Sequence, residues 1–208
     1  MDTPGTVFAR FFVLVVAVVG PAPGSCYGVH ADPAIREMIA RFDEAKTDPT
    51  TVDAAFDFAR NVAATRPADP IPLVYEGSLA ALKARDGWLP WRRLANLHLA
   101  LDLMGEATDI VAKAGTPATQ RLEVEMVRGI TCAQIPTIFG QESVARGDLV
   151  HAYADPGFST MSAGDRATAL AWLAVLARRA GDPSASARYL HAARAASFGV
   201  ADAIWSGR

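Results

Sequence analysis

Residues 167–198 read ATALAWLAVLARRAGDPSASARYLHAARAASF, and the side-chain sizes in this stretch decide the fold. Taking Gly181-Asp182 as a turn places Leu170, Leu173, Ala174 and Ala177 along one packing face of a first helix. Ser186, Leu190 and Ala193 then form a small–large–small series on a second helix. Such a series lets two antiparallel helices approach closely, because the small residues leave room for the neighbour's ridge and the large one fills the groove. The stretch predicts a helical hairpin. It carries no chemistry.

The same spacing recurs upstream. Ala100, Met104 and Ala107 repeat the small–large–small series, and Gly77, with Ala81 four positions on, offers a smooth groove on the helix before it. Glycine inside a helix costs about 1 kcal/mol relative to alanine, so close packing is the natural reason for its presence. Helices are predicted over residues 33–46, to 65, 71–85, 90–115, 117–136 and 141–153, and no period-2 pattern suggests a strand. Asp48-Pro49, Asp69-Pro70 and Asp155-Pro156 punctuate them. Strict repetition at ~34 residues is absent, and segment 117–160 departs from the hairpin pattern. The expectation is an all-α fold, an irregular α-α superhelix of antiparallel hairpins.

The N-terminus reads differently. Arg10 precedes the unbroken apolar run FFVLVVAVV at 11–19, followed by Gly20-Pro-Ala-Pro-Gly24. A membrane-spanning helix needs roughly 20 apolar residues, about twice this run. A positive charge, a short apolar core and then small or helix-breaking residues describe a secretory signal peptide. Val29-His30-Ala31 supplies the cleavage context, giving 1–31 as signal peptide and 32–208 as a single helical domain. A terminal helix buried in the fold is the structural alternative. Cys26 raises lipid attachment, yet only Gly24 and Ser25 fit such a signal, and the apolar run ends too early. After cleavage Cys132 would be the sole cysteine, best read as a small core residue rather than a nucleophile.

With 208 residues, 20% charged and 51% hydrophobic, the chain can bury one sizeable core. Its net charge of −2, without a basic run, disfavours nucleic acid and anionic membrane surfaces as partners. His98, His151 and His191 are isolated, so no metal site and no cofactor is expected. Nucleotide-cradling and hydrolase-elbow motifs are missing from the sequence. Asp43-Glu44, Asp53 and Glu123-Val124-Glu125 fit solvated faces or caps. Glu76, between Tyr75 and Gly77, is the least ordinary carboxylate, and a structural hydrogen-bonding role is preferred for it over catalysis.

Trp88-Leu-Pro-Trp91-Arg92-Arg93 is the most distinctive local feature. The two rings can cap the hairpin core with the arginines exposed, which is the preferred reading. Alternatively Trp88, Trp91, Arg92 and Arg93 anchor a partner, since tryptophan and arginine dominate interface hot spots.

The stretch YEGSLAALKA at 75–84, then WLPWRRL at 88–94, resembles uncharacterised bacterial exported proteins with tetratricopeptide-like helices. The resemblance covers roughly 69–112, and 167–198 is similar to a tetratricopeptide repeat in general form. It implies an α-α superhelix acting as an adaptor and brings no catalytic residues. The expected function is a non-catalytic periplasmic or secreted scaffold that binds another envelope protein or peptide. The alternatives are a glycan- or small-molecule-binding protein or enzyme on a helical scaffold, and a lipid-tethered accessory subunit.

Overall fold

The computed structural model describes residues 30–113 and 115–207, and among them every regular element is helical. The expected signal peptide up to residue 29, with Cys26, lies outside the described residues. The helices are α1 (Pro33–Thr47), α2 (Val52–Thr65), α3 (Pro70–Asp86), α4 (Pro90–Val111), α5 (Ala118–Gln134), α6 (Glu142–Ala154), α7 (Ala163–Arg179), α8 (Pro183–Ala196) and α9 (Phe198–Ser206). Short 3-10 turns occupy Pro49–Thr51, Thr137–Phe139 and Pro156–Thr160. No helix among the described residues is long and apolar enough to cross a membrane.

One dipeptide starts much of this structure. Asp-Pro occurs at Asp32, Asp48, Asp69, Asp155 and Asp182, and each aspartate side chain accepts a backbone N–H two or three residues on, at 2.7–3.0 Å. The proline occupies the first helical position, where it has no N–H to lose, and the aspartate satisfies one of the orphan donors of the first turn. Three α-helices and two 3-10 turns are therefore phased by sequence alone.

Packing follows chain order. α1 pairs with α2, α3 with α4, α5 with α6, and α7 with α8. Each odd-numbered helix also packs on the next odd-numbered one, from α1 through α3, α5 and α7 to α9. The even-numbered helices pack on odd-numbered ones rather than on each other. The odd helices consequently form the inner layer: every residue from 70 to 80 on α3 is buried, as is every residue from 169 to 177 on α7.

The hairpins share a crossing. A Cβ at Gly77 would lie 2.7 Å from Met104 Cγ and 3.0 Å from the Ala100 carbonyl, so α3 and α4 touch where glycine removes the obstruction. A Cβ at Gly129 would lie 2.8 Å from Leu149 Cγ, marking the same contact between α5 and α6. Between α7 and α8, Ser186 Oγ donates to the Ala174 carbonyl at 2.8 Å. Opposite Gly129, Ala145, Leu149 and Ala152 are all fully buried at the spacing of Ala100, Met104 and Ala107. Segment 117–160 thus contains a hairpin of the same design, which the sequence reading did not find. Its loops, carrying the 3-10 turns, alter the distance between small residue and series and hide the match.

The other packing positions fall as follows. Leu170, Leu173, Ala174, Ala177, Ser186 and Ala193 are buried, whereas Leu190 is only half-buried and the Tyr189 ring packs on the core beside it. α4 ends at Val111, short of the expected residue 115. α9 was not anticipated at all. Its Val200, Ala201, Ile204 and Trp205 have helical spacing and pack against the core, and the Arg178 guanidinium lies 4.1 Å from the Trp205 ring.

Candidate functional site

The α3–α4 hairpin reaches farthest from its own crossing. Gly77 lies ten residues before Gly87, so a limb of about 15 Å extends from the crossing toward the turn. Trp88 and Trp91 sit at its tip, 85% and 67% exposed. This differs from the expectation that the rings cap the hairpin core. The reason is that Arg93 closes the tip instead: its Nε donates to the Ala84 carbonyl at 3.0 Å, satisfying a C-terminal acceptor of α3. Arg92 is exposed and Arg93 is half-buried. Of the four residues proposed for partner contact, Trp88, Trp91 and Arg92 share the surface, and Arg93 belongs to the hairpin.

Leu94 and Leu99 are also exposed, flanking Trp91 on either side of the outward face of α4, whereas Leu97, Ala100, Met104 and Ala107 are buried. Large exposed apolar groups in sequence-adjacent turns of one helix form a contiguous patch, the usual mark of an interaction surface. The sequence reading found the tryptophans but missed the two leucines. A helical wheel of α4 carries the missing signal, because both leucines fall on the side away from the small–large–small series.

The buried carboxylates are all engaged. Glu123, on α5, receives the His30 ring nitrogen at 2.9 and 3.1 Å and the Tyr75 hydroxyl at 3.1 Å. The hydrogen bond to Glu123 raises the His30 pKa above its ordinary value, against the opposing effect of burial. His30 was expected to leave with the signal peptide. The structure seats it on Glu123 of α5, and Arg36 donates to the His30 and Ala31 carbonyls at 2.9 and 2.7 Å.

Glu76 lies 3.5 Å from Arg60 Nε, and burial raises its pKa against the attraction of Arg60. Arg60 in turn covers the Phe56 ring at 4.4 Å. Asp148 accepts a bidentate pair from Arg128, 2.5 and 2.6 Å long, and Arg128 also donates to the Thr108 hydroxyl of α4. Each of these acids has an interhelical partner that fixes neighbouring helices.

Cys132 is buried, and burial pushes its thiol up to about 12, so it stays protonated at neutral pH and fills space. Among the described residues no three His, Cys, Asp or Glu side chains group closely enough to hold a metal ion. His98 and His191 are exposed on α4 and α8, and His151 is exposed on α6. Comparison of the chain with protein-family models, curated proteins and solved structures finds no match.

Proposed function

We propose that this chain is an exported, non-catalytic helical scaffold of the bacterial cell envelope, an irregular tetratricopeptide-like superhelix that binds another protein or peptide. The observation that carries the reading is the exposed tip of the α3–α4 hairpin, where Trp88 and Trp91 stand in solvent beside Arg92. Exposed tryptophans of this kind are costly to leave in water and are typical interface anchors.

Two further observations support it. The odd-on-odd stacking, with each even helix laid on its neighbours, is the nearest-neighbour pattern of a solenoid. The buried carboxylates Glu76, Glu123 and Asp148 are tied to arginine or histidine partners. Export rests on the sequence of residues 10–31.

The test places a photo-crosslinking phenylalanine analogue at Trp91 in the native host, with the same analogue at exposed Arg188 on α8 as control. The expected result is a discrete protein adduct from position 91 and none from position 188. No adduct from position 91, or the same adducts from both, would overturn the reading. A fusion of residues 1–40 to a phosphatase active only after export tests the leader. An inactive fusion places the scaffold inside the cell.

A further inference from the structure

The outward face of α4 changes character along its length. Trp91, Ala95, His98, Asp102, Glu106 and Asp109 follow one another at helical spacing, and all are exposed. With Leu94 and Leu99 beside them, the first half of this stripe is aromatic and aliphatic, and the second half is acidic. Asp102, Glu106 and Asp109 form no ion pair with any described residue. Exposed Glu37 and Asp53 and half-buried Asp43 and Glu142, by contrast, are each matched by an arginine or lysine. The carbonyl end of the α4 dipole adds to the negative potential of the second half.

We propose that this face docks an amphipathic helical segment of a partner protein, with apolar residues against Trp91, Leu94 and Leu99 and lysines or arginines against Asp102, Glu106 and Asp109. The inference rests on the scaffold reading and names its partner's chemistry. The stripe from Trp91 to Asp109 spans five helical turns, about 27 Å, so the segment is about 18 residues long. Apolar contact supplies the affinity, and the acids choose partner and orientation.

Charge argues against the other occupants. Nucleic acid and anionic lipid are repelled by the three carboxylates. A second copy of α4 laid parallel sets acids against acids. Laid antiparallel, it sets acids against the tryptophan half, and a two-fold contact allows only such self-matching arrangements.

The probe is a synthetic leucine–lysine helix of about 18 residues with the leucines in one half of its stripe and the lysines in the other. Its counterpart has glutamate for every lysine. Binding to the full chain is read by calorimetry, with circular dichroism to confirm that each variant is folded. The lysine peptide is expected to bind, and the glutamate peptide to bind at least about tenfold more weakly. The triple variant Asp102→Asn, Glu106→Gln, Asp109→Asn should remove most of that discrimination, and Trp91→Ala should weaken both peptides.

Equal binding of the two peptides, no binding of the lysine peptide, or an unchanged preference in the triple variant overturns the proposal. A concentration-dependent dimer abolished by Trp91→Ala does so as well, by making the occupant a second copy. Should the position-91 crosslink persist undiminished in the triple variant, the scaffold reading stands and the basic partner falls. Absence of any crosslink from position 91 when the three acids are intact removes both.

Discussion

The α3–α4 and α7–α8 hairpins are built around the same crossing yet present different surfaces. In both, a small residue on the first helix, Gly77 or Ala174, meets a small–large–small series on the second. α8 is 14 residues long, and its exposed side includes Arg188, His191 and Arg194. α4 runs for 22 residues, and the added length before its series carries the exposed Trp91 and Leu94. Packing therefore fixes only the face near the crossing. Whatever length exceeds that need is free to take on a surface role, and in this molecule the excess is concentrated on one helix.

The comparison can be broken first at the large member of the series. Met104 is fully buried, whereas Leu190 is half-buried. Met104→Ala should cost about 2–5 kcal/mol by removing buried contacts and leaving a cavity. Leu190→Ala should cost roughly half as much or less, because burial scales the transfer term. Denaturant unfolding measures both, and equal losses would mean that the equivalent positions are equivalent in energy despite their exposure.

Gly129→Ala tests whether the α5–α6 crossing belongs to the same design. The added methyl lands 2.8 Å from Leu149 Cγ, so overpacking of about 1–3 kcal/mol is expected. Gly147→Ala on α6, where a methyl meets nothing, is the control and should be neutral or slightly stabilising. A neutral Gly129→Ala would dissociate this hairpin from the other two.

At the tip of α4 the expected effect on stability is smallest. Trp88→Ala and Trp91→Ala should each change unfolding free energy by less than about 0.5 kcal/mol, since neither ring is buried. A large destabilisation would return the rings to the hairpin core and remove them from the surface argument.

pH sharpens the comparison on a different side of the fold. The folded pKa of His30 is raised, so the stabilisation it gives is complete below the ordinary histidine value near 6.5 and is lost as pH rises through the raised folded value. Glu123, Asp69 and Asp32 are the acids that act on it, and Glu123 dominates. Limited proteolysis across pH 5–9 should show cleavage near residue 30 increasing toward alkaline pH, and His30→Ala should abolish the trend. A pH-independent pattern in the native sequence would show that the His30–Glu123 contact contributes nothing to holding the N-terminal end.

Residue size made the closing hairpin and the α3–α4 hairpin legible, because Gly77, Ala100, Met104 and Ala107 repeat a spacing that only close helix packing explains. The third hairpin used the same code at Gly129, Ala145, Leu149 and Ala152, but turns of unequal length shifted its phase. The exposure of Trp88 and Trp91 was not legible, since it depends on Arg93 taking the closing position. Nor was the seat of His30, whose partner Glu123 is 93 residues away. Local spacing reports which face of a helix packs, and long-range side-chain pairing leaves no comparable trace.

The His30 contact also sets how the molecule bears load. It fastens the first described residue past α1 and α2 onto the middle of the helical array, and Asp32 adds a second fastening to Arg66. A pull on His30 from its N-terminal side is thus delivered first to Glu123 of α5, which the Tyr75 hydroxyl of α3 steadies. Only after that clasp yields can tension peel α1 away from its neighbours.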